Sequence, residues 1–162
     1  MTQHGATIEW QRNGAVFTDN RYSRGHRWAF DGGTAVPASA SPHVVPLPYS
    51  VAAAVDPEEA LVASLCSCHM LWFLALAAKR GYVVDRYRDA AIGRMGRDGG
   101  GRTAMLEVIL RPAVAFADGR APDGAALAAL HHEAHDACYI ANSVNFPVRC
   151  DPAAPTVEGP AC

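Results

Sequence analysis

At 162 residues, half of them apolar and 19% charged, the chain has the size of one domain and the balance of a globular protein, which excludes a disordered or fibrous one. Its 14 basic and 16 acidic residues are interspersed and leave a net charge of −2, so no basic face is expected and nucleic acid is excluded as a partner. The start, Met1 to Gly5, lacks the basic and apolar regions of a secretory signal. The expected compartment is therefore the cytoplasm, where the five cysteines (Cys66, Cys68, Cys138, Cys150, Cys162) are catalytic, redox-active or metal-binding rather than a disulfide framework.

In chain order, residues 6–12 alternate and predict a strand, followed by a turn at Asn13-Gly14. Residues 26–31 alternate again and stop at Gly32-Gly33. Four prolines between 36 and 50 predict an extended loop.

A helix follows. Asp56 is a good N-cap and Pro57 suits the first helical position. Glu58 and Glu59 favour the positive end of the dipole, and Glu59 completes a capping box with Asp56. The helix should run to Lys79-Arg80 and stop at Gly81. Ala60 to Ala78 holds no charged residue over 19 positions, long enough to cross a bilayer. Its centre, Ser64-Leu65-Cys66-Ser67-Cys68-His69, is too polar for a lipid-facing span and there is no second one, so a buried helix and no membrane are expected. Being apolar nearly all round, it should be buried on most faces, and in so short a chain that points to cover from a second subunit.

Two strands, roughly 82–95 and 103–116, flank the hairpin signal Asp98-Gly99-Gly100-Gly101, with Pro112 marking an edge or bulge. Ala121-Pro122-Asp123 opens a second helix carrying Leu127, Leu130, His131, His135 and Cys138. Residues 144–149 suit a last short strand. Residues 1–150 thus read as a single domain, and 151–162, rich in Pro, Ala and Gly, as a flexible tail. The order β–β–α–β–β–α–β gives an α+β fold rather than a doubly wound sheet.

By composition alone, Cys68 in the middle of an apolar helix is a small inert hydrophobe. Three stretches change that reading. Asp56-Pro57-Glu58-Glu59 followed by small and apolar residues to Cys68 resembles the central-helix motif of the OsmC/Ohr superfamily. His131 to Ser143, around Cys138, resembles that family's second-cysteine helix. Ser23-Arg24-Gly25-His26-Arg27 resembles its arginine-bearing turn. The three occur in the family's order.

The resemblance implies the OsmC-like fold, with antiparallel sheets packed around a long buried central helix in an interlocked homodimer whose sites lie at the subunit boundary. It also implies a thiol-dependent peroxidase that reduces organic hydroperoxides, and hydrogen peroxide less well. In that chemistry the Cys68 thiolate attacks the distal peroxide oxygen, its sulfenic acid condenses with Cys138, and an external dithiol such as dihydrolipoamide resets the disulfide. No bound cofactor or metal is expected. Arg24 would hold the thiolate and a peroxide oxygen, and Glu58 would orient Arg24 through a bidentate pair. Glu58 and Cys68 are ten residues apart, roughly 15 Å along one helix. Either the helix is interrupted, or Arg24 and Glu58 reach the Cys68 of a partner chain.

The chain departs from the organic-hydroperoxide pattern at Tyr139-Ile140, where Pro-Tyr is usual after the second cysteine, and at Cys66. Cys66 and Cys68 lie about 200° apart around a helix, so they cannot bridge, and Cys66 is read as packing. Arg21 and Arg27 compete with Arg24, and Arg27 on a half-buried strand reads as a surface charge. Trp72 and Phe73 are core or line an alkyl pocket. His131 and His135 have an i,i+4 metal spacing but read as surface or capping residues. Cys150 and Cys162 read as incidental thiols. The competing function is a non-enzymatic redox sensor or small-ligand binder of the same fold.

Overall fold

Local chemistry sets the limits of the central helix. The Glu59 N–H donates to Asp56 Oδ1 at 2.7 Å and the Asp56 N–H to Glu59 Oε2 at 3.3 Å, which is the expected capping box. At the other end Gly81 adopts φ 79°, the Gly81 N–H bonds the Ala78 carbonyl and the Tyr82 N–H the Ala77 carbonyl, closing a Schellman motif. Helix α1 spans Pro57–Lys79 without interruption.

The computed structural model describes residues 1–158. The strands are β1 (Ala6–Glu9), β2 (His26–Phe30), β3 (Ala35–Ala38), β4 (Val84–Asp89), β5 (Ile92–Arg97), β6 (Thr103–Leu110), β7 (Pro112–Ala117), β8 (Val148–Cys150) and β9 (Thr156–Glu158). Helix α2 covers Gly124–Ala137, and a turn of 3-10 helix covers Ala141–Ser143. Where the sequence reads as one domain over 1–150, the chain divides into two compact units, Met1–Ala60 and the part from Leu61 onward. The fold class is α+β as expected.

The first unit holds the antiparallel sheet β1-β2-β3. Its third strand lies in the stretch predicted as loop. Pro37, opposite Arg27, sits on an edge strand where its missing N–H costs no ladder bond, so the prolines concealed a strand. Trp10, Phe17 and Tyr22 form a ring cluster, with centroids 4.6 to 5.8 Å apart.

The second unit holds two mixed sheets, β4-β7-β9 and β5-β6-β8, in which the β4–β7 and β5–β6 pairs are antiparallel and β8 and β9 are added parallel. Each of the two long predicted strands is split between these sheets. The first breaks after Asp89 and the second at Arg111, and the two breaks are tied by the Arg111 N–H to Asp89 Oδ1 bond of 2.7 Å. Pro112 is neither an edge nor a bulge residue: it opens β7, the central strand of its sheet, where a first residue tolerates proline. The stretch from 151, predicted as a flexible tail, carries β9 and the Asp151 and Ala153 N–H bonds to Leu110 and Pro112.

Helix α1 buries one stripe, Leu65, His69, Phe73 and Ala77, spaced four apart. Phe73 and Ala77 pack with Val114, Phe116, Leu127, Leu130 and Ala134, and Leu65 packs with Val108 and Leu110. Each such large side chain contributes about 1.5–3 kcal/mol. The absence of a Cβ at Gly93 lets β5 approach Val62, which that atom would meet at 2.7 Å. The expectation that most faces of α1 are buried does not hold within the single chain: Leu71 is 60% exposed. Among the described helices α1 alone has the length and composition of a membrane span. Its buried stripe makes it the core helix of a globular unit.

Candidate active site

Cys68 lies on α1 one residue before the buried stripe and is half-buried. Cys138 is the C-cap of α2 and fully buried. Though 70 residues apart in sequence (68 to 138), the two free thiols are close enough for Cys68 to act on Cys138. The chain turns sharply after Cys138. Its extended backbone ends α2, its N–H bonds the His135 carbonyl, and the following 3-10 turn brings the Ala141 N–H to Cys138 Sγ at 3.4 Å. Burial raises the Cys138 thiol above the ordinary range and the Cys68 thiol beside it adds to the effect, while the Ala141 and Ile140 N–H groups oppose it.

One turn beyond Cys68, Trp72 meets Tyr139 edge-on, with centroids 5.5 Å apart at 89°. Trp72 follows Cys68 by one helical turn and Tyr139 directly follows Cys138, so the ring pair joins the two cysteine-bearing segments. Phe73 is fully buried and stacks on His131 at 4.4 Å, so of the two readings offered for it the structure selects core.

Arg24 and Glu58 belong to the first unit. The Arg24 guanidinium donates to the Asn20 carbonyl at 2.9 Å and to the Tyr22 carbonyl and Asn20 Oδ1, each at 2.5 Å, and lies 3.9 Å from the centre of the Tyr22 ring. Its backbone is fixed as well. The Trp28 indole N–H donates to His26 Nε2 at 2.8 Å, so the proton is on Nδ1, which donates to the Arg24 carbonyl at 2.8 Å. Arg24 lines an open apolar groove of about 420 Å³ with Ile8, Trp10, Phe17, Tyr22 and Pro57. The expected bidentate pair with Glu58 is not formed. Among the described residues Arg24 is held by its own turn, and Glu58 Oε2 is buried with no hydrogen-bond partner. Arg27 pairs with Glu9 at 3.0 Å on the exposed face, the surface charge expected, and Arg21 is exposed. Cys66 is half-buried against the Leu65 cluster, and burial together with Asp89 raises its thiol to about 11, which suits packing rather than chemistry.

The histidines differ from expectation. His131 is buried, not a surface or capping residue, and its Nδ1 lies 3.2 Å from Nε2 of the fully buried His69. Burial lowers both rings to about 4, and for His69 the neighbouring His131 and His135 add to the effect. Cys150, read as incidental, places its Sγ 3.8 Å from His69 Nε2. Cys162 lies outside the described residues. One feature legible beforehand pointed to this cluster, a histidine within the apolar run of α1.

The comparisons agree with this architecture. A family model described as OsmC-like protein matches residues 50–152. No curated protein matches. An OsmC-like protein of unknown function from Vibrio cholerae O1 biovar eltor is 51% identical over 94% of this chain and 100% of its own, with a TM-score of 0.93. An organic hydroperoxide resistance protein OsmC from Legionella pneumophila shares the fold at 14% identity, covering 95% of this chain and 98% of its own, TM-score 0.69. One from Elizabethkingia anophelis, with crystallant-derived thiocyanate bound, does so at 15% identity, covering 98% and 97%, TM-score 0.68. With the family model spanning more than half the chain and a solved relative matching nearly all of it, this chain belongs to the OsmC family.

Proposed function

We propose that the protein is a thiol-dependent peroxidase that reduces organic hydroperoxides, and hydrogen peroxide less well, at Cys68. The observation that carries this reading is that the Cys68 and Cys138 thiols, far apart in sequence, are close enough for one to act on the other. A binding protein needs no such pair, whereas a two-cysteine peroxidase needs its second thiol within reach of the first.

The Cys68 thiolate attacks the distal oxygen of R–O–O–H. The O–O bond breaks, the S–O bond forms, and the alkoxide leaves with a proton as R–OH. Cys138 then attacks the sulfur of Cys68–S–OH, expelling water and closing the disulfide. An external dithiol, itself oxidised to a disulfide, returns both thiols. The Trp72–Tyr139 rings provide the apolar wall for R.

Arg24 supplies the cation that a thiolate in apolar surroundings requires once it leaves the Asn20 and Tyr22 oxygens that hold it here, and the unpartnered Glu58 carboxylate is the group that would then orient it. Because α1 is uninterrupted, Glu58 and Cys68 of one chain stand roughly 15 Å apart along the axis. That separation supports a site shared in a two-fold homodimer, with Arg24 and Glu58 of one subunit serving Cys68 of the other. The unpartnered Glu58 Oε2 and the exposed apolar Leu71 on α1 support a partner chain at these positions.

The test is peroxide consumption with dihydrolipoamide or dithiothreitol as reductant, comparing cumene hydroperoxide with hydrogen peroxide. Rapid turnover that prefers cumene hydroperoxide supports the reading. A protein that is oxidised once and not recycled by any dithiol is the redox sensor instead.

A further inference from the structure

Beyond the thiol pair, the second unit holds a group of buried polar atoms that the peroxidase reading does not use. His69 on α1, His131 on α2 and Cys150 at the end of β8 each present one donor atom to a common point. His69 Nε2 and His131 Nδ1 are 3.2 Å apart, Cys150 Sγ is 3.8 Å from His69 Nε2, and all three atoms lie within 4.8 Å of one another. Bond lengths of about 2.0–2.1 Å to nitrogen and about 2.3 Å to sulfur, at tetrahedral angles, require edges of about 3.3 Å for N···N and about 3.6 Å for N···S. The His69–His131 and His69–Cys150 separations are those edges to within about 0.2 Å, and the third lies within 4.8 Å.

We infer that His69 Nε2, His131 Nδ1 and Cys150 Sγ form a binding site for a divalent transition-metal ion of the zinc class.

Three features separate this from an ordinary histidine pair. First, among the described residues the hydrogen-bond contacts of these three atoms are with one another, while the far ring nitrogens, His69 Nδ1 and His131 Nε2, are buried without a partner. One proton shared between His69 Nε2 and His131 Nδ1 leaves the sulfur only its long 3.8 Å contact, whereas a cation engages all three atoms. Second, the charges balance. Asp89 lies close enough to act on the Cys150 thiol, and its Oδ2 is buried without a partner. One dication, the Cys150 thiolate and the buried Asp89 carboxylate sum to zero, with the exposed Asp151 a further carboxylate acting on Cys150. Third, there is a way in. A cleft of about 300 Å³ reaches the site past His131, His132, His135 and Cys150. His135, one turn after His131 on α2, lines that cleft, and three protein ligands leave a fourth tetrahedral position for water or a further side chain. The donor set of two imidazoles and one thiolate selects zinc-class or copper-class ions over magnesium and calcium, which take oxygen ligands.

The inference does not depend on the peroxidase reading, and its test is independent of activity. The reduced, tag-free chain, stripped with a chelator, is titrated with Zn²⁺ by calorimetry and with Co²⁺ by absorption. One equivalent per chain is expected, with a thiolate-to-cobalt charge-transfer band and a rise in Tm on zinc saturation. Cys150→Ser should abolish that band and weaken zinc binding by at least about 10-fold. The Cys68→Ser/Cys138→Ser double variant should bind as the parent does. In the parent, zinc should also shield Cys150 from alkylation, as read by peptide mass spectrometry, a measurement that needs no variant to fold. Equal binding by Cys150→Ser, loss of binding in the double variant, unshielded Cys150, or no binding at 100-fold excess of metal would each overturn the inference.

Discussion

The Cys138 thiol lies close enough to the Cys68 thiol to be shifted by it, while its sulfur accepts the Ala141 N–H at 3.4 Å. The second cysteine is thus held by the helix end and the 3-10 turn that follow from its own sequence, and the first is carried to it by the core helix. The arrangement favours rapid closure of a disulfide once Cys68 is oxidised, because the attacking sulfur need not be delivered by a loop movement.

The raised Cys138 thiol gives that closure a pH dependence. Below its raised pKa the thiolate fraction grows about tenfold per pH unit, so the rate of disulfide formation after one equivalent of peroxide should climb through the neutral and alkaline range. The linkage runs the other way for stability. A folded-state pKa above the unfolded value contributes stability that is fully present below the unfolded pKa and is lost as pH rises toward the folded one. Chemical denaturation of the reduced protein should show this alkaline loss, and Cys138→Ala should show less of it. A pH-independent closure rate would contradict the assignment of Cys138 as the attacking thiol.

Subunit sharing predicts complementation. Arg24→Ala should lower kcat/KM by about 10²-fold or more, the usual effect of removing a cation aimed at developing negative charge. Cys68→Ser should be inactive. Mixed and reassociated, the two variants form heterodimers with one intact site, so activity should recover to about one quarter of the parent's. Failure to recover, with exchange confirmed by mass spectrometry, would put Arg24 and Cys68 of the same chain in one site.

Trp72 and Phe73 are adjacent in sequence and should separate cleanly in their effects. Phe73 is fully buried in the core of α1, α2 and β7, so Phe73→Ala should cost about 3–5 kcal/mol of stability. Trp72 packs edge-on against Tyr139. Trp72→Ala should cost less stability and should raise KM for cumene hydroperoxide more than for hydrogen peroxide. Thermal melts and steady-state kinetics distinguish the two.

What could be read in the sequence follows the range of the interactions involved. The limits of α1 were legible because caps are local: Asp56, Glu59 and Gly81 each act within five residues. The Cys138 helix end was legible through its motif. Strand β3 was not, since the prolines that mark a loop also suit an edge strand. The division of 82–95 and 103–116 between two sheets was hidden because alternation continues across Asp89 and Arg111 while only the pairing partner changes. The His69–His131–Cys150 cluster joins positions 62 and 81 residues apart, and no local pattern encodes that convergence. Arg24 was found as a residue, but its hold on Asn20 and Tyr22 depends on the folded turn.

The most direct test of the account is to add one equivalent of cumene hydroperoxide to the reduced protein and map its cysteines by mass spectrometry while following peroxide loss. The account predicts stoichiometric consumption with a single Cys68–Cys138 disulfide, a persistent Cys68 sulfenic acid in Cys138→Ser, and no consumption above background in Cys68→Ser. Undiminished consumption by Cys68→Ser, or a disulfide joining any other pair, would contradict it.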